Sequence, residues 1–505
     1  MKKILFALLM LPSILIAAQK KTDPTTFAKT ITTDDLKKHL YIVASKEMEG
    51  RETATPGQKK AAAYIESQFQ SLGLAPGNNG SYQLKFPVYQ DSLLNTSVEV
   101  NGKTFDLDKD FVINVGQSNP SSFRFAEVVF VGNGIVDSTR DDYKGLDVRG
   151  KAVLLLAAQQ TQGQGQGRGG FGNQTARIDA AQKNGAVAVL VIAGSFPRTQ
   201  KTNAKGNMYL SAFQKVVRLN QFQVSENIAR VIMGDDYDKA KAGTVQPKTY
   251  SANLMLGFNK TTTILESSDV IGVLEGTDLK DEYVFVTGHY DHLGKRGDSI
   301  IYYGADDDGS GTCGVLEIAE AFAKAKAAGK GPRRTMVFMT VSGEEKGLWG
   351  SQYYTDHPVF PLEKTTVDLN IDMIGRTDSS RHQGDSLNYV YVVGDDKLSS
   401  DLKTISEGIN NKYIKMELDY KFNDPNDRNR IYFRSDHFNF ANKGVPIIFY
   451  YDGMLGADYH RPTDTPDKIN YPLYAKRAQL VFYTAWEMAN RDAMLKRDIP
   501  LQRGF

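Results

Sequence analysis

An α/β fold is predicted for this chain of 505 residues: a mostly parallel central sheet, helices on both of its faces, and an inserted β-rich domain. Three observations predict it. Continuous apolar runs of strand length, at 283–287, 335–341, 367–373 and 445–451, alternate with helix-like stretches, as strands covered on both faces do. Residues 92–255 hold shorter β-type runs separated by turn signals, a different texture. Histidines and carboxylates fall at or just past the ends of the long runs, where open sheets of this kind bind ligands.

The elements follow in order. Lys2 and Lys3 precede an apolar run over 4–16, and Ala17-Ala18 come before Gln19. That charged, apolar, small-residue order predicts a signal peptide at 1–18. The run is shorter than the ~20 residues of a spanning helix. Export to the periplasm or the extracellular space is therefore expected, with no stable membrane insertion after cleavage. Thr33-Asp34-Asp35 starts a helix with Leu36, Leu40, Ile42 and Val43 on one face. Thr55-Pro56-Gly57-Gln58 starts a second, which buries Ala62, Ile65 and Phe69, with Gly73 as its C-cap. Between them, Glu49-Gly50-Arg51-Glu52 reads from its charges as a solvated connection; Glu49-Gly50-Arg51 and Tyr64-Ile65 also carry part of a family resemblance.

Within 92–255, Asn101-Gly102 marks a hairpin turn, and residues 126–131, 152–156 and 186–192 read as strands. Residues 176–183 read as a helix. The glutamine–glycine run at 162–170 is low-complexity and reads as a loop; it lacks the spacing of a phosphate loop. From about 263 the long strands begin, and residues 312–328 read as a helix. The expected domains are 19–91 with 256–505 as one unit and 92–255 as the insert.

Composition excludes some functions. Hydrophobic residues at 41% and charged residues at 24% are ordinary for globular chains. A formal charge of +2 gives no footprint for nucleic acid or an anionic membrane. Cys313, the one cysteine, can make no internal disulfide. It begins an apolar helical face and reads as a small buried hydrophobe.

The chemistry-bearing residues form a set. His289 and Asp291 are two apart at a strand end and so share a face. Asp291 is placed to hold one tautomer of His289, as carboxylates do behind metal-bound imidazoles. The same alternation sends His292 to the opposite face and out of the site. Asp306-Asp307-Asp308 is too dense in charge to be buried without a cation; one or two of the three can face a site. The run does not fit an EF-hand loop. Glu344-Glu345 can divide labour, one carboxylate ligating metal and the other taking a proton from water. Asp372 ends an apolar strand and needs a partner, for which a metal serves. His460 offers a second imidazole. Ser435-Asp436-His437 cannot form a nucleophilic relay from adjacent positions and reads as structural support.

Together, Gly288-His289-Tyr290-Asp291-His292, Ala305-Asp306-Asp307-Asp308-Gly309-Ser310-Gly311, Gly343-Glu344-Glu345-Lys346-Gly347, Asn370-Ile371-Asp372-Met373-Ile374-Gly375 and Tyr459-His460-Arg461-Pro462 resemble the motif set of the dizinc exopeptidases of the aminopeptidase S and aminopeptidase Y type. Ser435-Asp436-His437 belongs to the same set, and Glu49-Gly50-Arg51 and Tyr64-Ile65 resemble that family's N-terminal segment, so the match covers roughly 30–90 and 263–480. The resemblance implies two Zn2+ per chain: His289 and Asp372 on one, Glu345 and His460 on the other, Asp307 bridging. It also implies Glu344 as general base, Asp291 orienting His289, Tyr459 hydrogen-bonding the oxyanion, and a cis peptide after Asp307. Residues 92–255 resemble, more weakly, a protease-associated insert.

The expected function is hydrolysis of the N-terminal residue of a peptide substrate by a metal-activated water. Carboxypeptidase or dipeptidase action at the same site is the nearest alternative, with Arg376 and Arg434 as candidates for a terminal carboxylate. A noncatalytic binding protein on the same scaffold and glutaminyl cyclase chemistry are more distant ones. The sequence sets no oligomeric state.

Overall fold

The computed structural model describes residues 23–157, 169–211, 217–456 and 458–501. The signal-like residues 1–18 and the glutamine–glycine run through residue 168 lie outside the described residues. Two compact units divide the chain: the residues up to Lys85 together with those from Ser267 onward, and Phe86–Glu266.

The first unit opens with helices α1 (Thr33–Val43) and α2 (Pro56–Ser71). Thr32 caps α1, its side chain accepting from Asp35 N. Pro56 sits in the first turn of α2, where a missing N–H is harmless. Gly73 follows that helix with φ +70°, a left-handed stop open to glycine.

The strands come next: β1 (Lys248–Leu274), whose Val270–Leu274 end belongs here, and β2 (Leu279–His289). Then follow α3 (Gly311–Ala327), β3 (Arg334–Val341), α4 (Trp349–Asp356), β4 (Thr365–Ile371) and β5 (Tyr389–Val393). The rest are α5 (Leu402–Tyr413), β6 (Glu417–Asp419), α6 (His437–Asn442), β7 (Ile447–Tyr451) and α7 (Tyr471–Asn490). Strand order is β6-β5-β7-β4-β2-β3-β1. The central run β3, β2, β4, β7 is parallel throughout. Antiparallel pairs occur towards the edges, β1 on β3 and β5 on β7.

Alternation along these strands feeds two cores. Val284, Val286, Phe338, Leu369 and Ile448 pack with α1, α2, α3 and α7 on one face. Phe285, Val337, Met339, Ile447 and Phe449 pack with α4 and α6 on the other. A parallel sheet needs both covers, which leaves the strand ends, not the sheet faces, for loops. Cys313 is buried in the first core. Among the described residues, no helix is long and apolar enough to cross a membrane.

In the second unit, Ser121–Phe130 pairs antiparallel with residues 248–258 and parallel with Ala152–Leu155. Ala188–Ile192 and Asn220–Val224 extend it in parallel, and Phe111–Ile113 closes it antiparallel. Asn101 and Gly102, at φ +52° and +80°, turn the hairpin between Val100 and Lys103.

Candidate metal centre

Four chain segments bring side chains to the carboxyl edge of the sheet. His289 ends β2, and Glu344-Glu345 follow β3 by a short turn. Asp372 comes directly after β4, and Tyr459-His460 lie in the loop after β7. Parallel neighbours end at the same level, with His289 opposite Val341, so residues far apart in sequence meet.

The acidic turn Ala305–Ser310 lies between β2 and α3. All three aspartates are buried, and the outer two grip backbone rather than face the site. Asp306 Oδ1 accepts from Gly375 N at 2.8 Å. Asp308 Oδ1 accepts from Gly311 N at 2.8 Å and Met373 N at 2.9 Å, and its Oδ2 accepts from His289 N at 3.1 Å. Those bonds tie the turn to β2, to α3 and to the end of β4. They leave Asp307 to address the site, and the Asp307–Asp308 peptide is cis.

Asp307 stands between two imidazoles. Its Oδ1 is 3.3 Å from His289 Nε2, and its Oδ2 is 3.1 Å from His460 Nε2. Asp372 Oδ1 lies 3.7 Å from His289 Nε2, on the first side. Glu345 Oε2 lies 3.1 Å from His460 Nε2, on the second. Glu344 Oε2 is 3.9 Å from His289 Nε2. The structure thus brings His289, Asp307, Glu344, Glu345, Asp372 and His460 together.

Asp291 is buried beside them but acts differently from the sequence expectation. His289 Nδ1 is 3.1 Å from the main-chain oxygen of Asp291 and 3.6 Å from its carboxylate. A backbone carbonyl therefore sets the tautomer. The carboxylate accepts from Thr53 Oγ1 at 2.7 Å and from Glu344 N at 3.2 Å. Tyr459 stacks on His460, with ring centroids 3.9 Å apart, and its hydroxyl accepts from Arg434 Nη2 at 3.0 Å. Ser435, Asp436 and His437 turn to separate partners: Asn370 Nδ2, Ser351 Oγ and the Tyr432 carbonyl. No relay links them.

Two residues escaped the sequence reading. Arg51 is not in a solvated connection; it is wholly buried. Its guanidinium donates to the carbonyls of Tyr290 (2.7 Å), Val43 (2.8 Å), Tyr303 (2.7 Å) and Gly304 (2.8 Å). It clamps the residue after His289 to the entry of the acidic turn. His292 is also in the site, its Nδ1 2.8 Å from Glu345 Oε1. The alternation that sent it away holds only inside a strand, and β2 ends at His289. A second histidine three residues past a candidate ligand was the available signal.

The electrostatics call for a cation. Burial disfavours a charged His289, yet Asp372 and Glu344 outweigh it and hold its pKa well above the ordinary value. Burial likewise opposes charge on His460, but Asp307 and Glu345 push it up to about 10. Burial raises Asp307, and the imidazoles of His289 and His460 held against its two oxygens more than reverse this, holding it well below the usual carboxylate range. Glu344 goes the other way: burial lifts it well above that range, His289 opposes, and Glu345 and Asp372 add to the rise. His289 Nε2, Asp307 Oδ2 and Glu345 Oε1 are buried without an aligned hydrogen bond. Orphaned acceptors of this kind in one place are what a metal satisfies. The imidazole and carboxylate donors suit zinc. His289, Asp307 and Asp372 could hold one ion, and Asp307, Glu345 and His460 a second.

Beside the carboxylates is a small pocket of about 30 Å³, walled by Met373, Ile431, Phe449, Tyr451 and Leu455 and rimmed by Arg434 and Tyr459. A larger cavity of about 760 Å³, lined by Lys397, Lys403, Tyr420 and Arg428 among others, lies on the other side of Ile431 and touches none of the candidate ligands.

Residues 269–485 match the model of peptidase family M28. A probable leucine aminopeptidase of Arthroderma otae is 30% identical over 216 residues, which is 42% of this chain and 55% of that protein. One of Trichophyton verrucosum is 30% identical over 214 residues, 41% and 55% of the two chains. This chain thus spans 55% of the length of these curated relatives. The solved structure of an aminopeptidase from Aneurinibacillus sp. strain AM-1 superposes on 95% of this chain and 100% of its own at TM-score 0.55 and 20% identity, a shared fold.

Proposed function

We propose that this chain, whose residues 269–485 are a peptidase family M28 domain, is an exported aminopeptidase that holds two zinc ions and removes N-terminal residues from peptides. One observation carries the reading. The two oxygens of Asp307 face different imidazoles, His289 at 3.3 Å and His460 at 3.1 Å, each imidazole with its own further carboxylate. A bridging carboxylate between two ligand sets has that form, and the free Glu344 stands beside it.

Bound zinc would supply Lewis acidity to the scissile carbonyl and make a nearby water acidic enough to attack at neutral pH. The rest is the work of the chain. Glu344 takes the proton of the attacking water and passes it to the leaving amine. Burial pushes Tyr459 up, so its phenol stays protonated. Because the phenol oxygen accepts from Arg434, its own proton is free for the carbonyl oxygen as charge develops there. Asp291 keeps the base in register through the Glu344 N–H.

The Phe86–Glu266 unit is read as the protease-associated insert, supported by its separate core and its four adjacent parallel strands. Export rests on the charged and apolar order of residues 1–18.

Carboxypeptidase or dipeptidase action remains the competing reading, and Arg434 at the pocket rim is the cation that favours it. Arg376 is already engaged by Asp458 at 3.0 Å. Matched peptides blocked at one end separate the two. The zinc-loaded protein is expected to cleave peptides with a free amino terminus whether or not the carboxyl end is amidated, and to spare acetylated ones. Dependence on a free carboxylate instead would move the assignment to a carboxypeptidase.

A further inference from the structure

We infer that His292 is a positioning residue for the second metal: it holds the inner oxygen of Glu345 so that the outer oxygen is presented to the ion. This rests on the two-zinc reading above.

The Glu345 carboxylate is shared between two histidines. Oε2 lies 3.1 Å from His460 Nε2, on the side of Asp307 Oδ2. Oε1 lies 2.8 Å from His292 Nδ1, on the inner side. His292 Nδ1 is farther from the bridging aspartate, 3.9 Å from Asp307 Oδ2. The ring is therefore closest to the inner oxygen of Glu345 and farther from the bridging aspartate than His460, whose Nε2 is 3.1 Å from Asp307 Oδ2; His292, Asp307 and Glu345 are also close enough to hold an ion themselves, which is the outcome that the Asn variant tests.

The chain is built to keep that ring in place. His292 is fully buried, and its main-chain N donates to the carbonyl of the anchored Arg51 at 3.3 Å. Its ring meets that of His460 edge-on, with centroids 5.9 Å apart. Gly304 makes the space: its φ is +55°, and a Cβ there would lie 2.5 Å from His292 Cγ.

The ring is not explained as core filling. Neither nitrogen of His292 nor Glu345 Oε1 has an aligned hydrogen bond. Burying unpaired polar atoms is unfavourable, and an aromatic hydrocarbon would fill the space without that penalty. A small rotation of Glu345 as Oε2 engages a cation aligns Oε1 with the His292 N–H. Hydrogen bonds of this kind behind a ligand orient it and raise metal affinity.

The test compares wild type, His292→Phe and His292→Asn as full-length proteins stripped of metal and titrated with zinc against a chromophoric chelator. Circular dichroism and thermal melting check that each is folded. Wild type is expected to take up two zinc ions. His292→Phe should keep the tighter ion and bind the other about 10- to 100-fold more weakly. His292→Asn places an amide N–H near the position of Nδ1 and should recover most of that loss. If His292→Phe does not fold, His292→Ala takes its place. A second affinity unchanged in the Phe or Ala variant overturns the inference. So does an Asn variant as weak as the Phe variant, which would make the ring nitrogen itself a ligand. Folded wild type that takes up fewer than two ions removes the two-zinc reading instead, and with it the role of His292.

Discussion

The main-chain N–H of Glu344 donates to the Asp291 carboxylate at 3.2 Å, joining the loop that carries the proposed base to the end of the strand that carries His289. The same carboxylate accepts from Thr53 at 2.7 Å. Asp291 therefore positions the base more than it orients the imidazole, whose Nδ1 is nearer the Asp291 backbone oxygen. Asp291→Ala should lower kcat about 10- to 100-fold while leaving the tighter zinc affinity within a few-fold of wild type. Asp291→Asn keeps one acceptor and should fall between. Zinc titration beside steady-state kinetics reads both quantities; a loss of zinc equal to the loss of turnover would return Asp291 to the role of orienting a ligand.

Glu344→Gln should retain fold and metal and lose turnover. It keeps the shape of the side chain and removes the carboxylate that accepts the proton, so kcat should fall by about 10²- to 10⁴-fold. Zinc content and melting temperature should stay near wild type, because Glu344 is not one of the proposed ligands and its nearest imidazole, His289, is 3.9 Å away. Wild-type kcat in a zinc-replete variant would take Glu344 out of the mechanism.

What could be read in advance, and what could not, follows from where each residue sits. His289, Asp372 and the Glu344-Glu345 pair lie at or just past the ends of long apolar runs, so a parallel sheet brings them to one edge without further information. From the acidic run itself Asp307 was legible only as one of three, the family resemblance alone naming it as the bridge, because which aspartate faces the site depends on the backbone N–H groups of Met373, Gly375 and Gly311 that engage its neighbours. His292 was misplaced because two-residue alternation was carried beyond the strand that justifies it. Arg51 was marked by resemblance alone, within Glu49-Gly50-Arg51, and its role was hidden for another reason. A charge among glutamates reads as solvated, and only the fold shows four carbonyls, from three distant stretches of chain, converging on it.

Removing metal should loosen the protein. Without a cation, the buried carboxylates of the site repel one another and several acceptors stay unpaired. Chelation is expected to abolish peptidase activity and lower the melting temperature, and added zinc should restore both, since a ligand that binds only the folded state stabilises it. A melting temperature indifferent to chelator and zinc, in protein shown to lose its metal, would contradict the electrostatic account of the site.

Arg51→Met should be among the most destabilising single changes. The apolar side chain leaves carbonyls of Tyr290, Val43, Tyr303 and Gly304 without their donor, and a buried unpaired acceptor costs about 1–3 kcal/mol. Even with partial relaxation, the melting temperature should drop by more than about 5 °C. Zinc binding should weaken as well, because the clamp joins the two segments that carry His289 and Asp307. Arg51→Lys supplies fewer donors in a different geometry and should rescue little. A thermal melt of Arg51→Met that overlays wild type would show the four bonds to be dispensable.

Asp368 gives the protein a pH dependence that can be isolated from the metal site. It is wholly buried on β4, and Thr287 Oγ1 lies 2.8 Å from its Oδ1 and 2.9 Å from Asn370 Oδ1. A single hydroxyl proton cannot serve two acceptors. Burial pushes the Asp368 carboxyl up to about 8, with the Thr287 hydrogen bond opposing and Asp436 adding to the rise. A protonated Asp368 resolves the conflict: it donates to Thr287 Oγ1, which donates on to Asn370. The linkage sign follows, since the folded pKa lies above the unfolded value. The contribution of Asp368 to stability is full below about pH 4 and is lost as pH rises through about 8. Asp368→Asn replaces the protonated acid with an amide that donates to the same oxygen and does not titrate. Its melting temperature should be close to wild type at pH 4 and should exceed wild type by a growing margin up to pH 8. A difference that stays flat across that range, or shrinks, would mean that Asp368 is ionised in the folded protein at neutral pH.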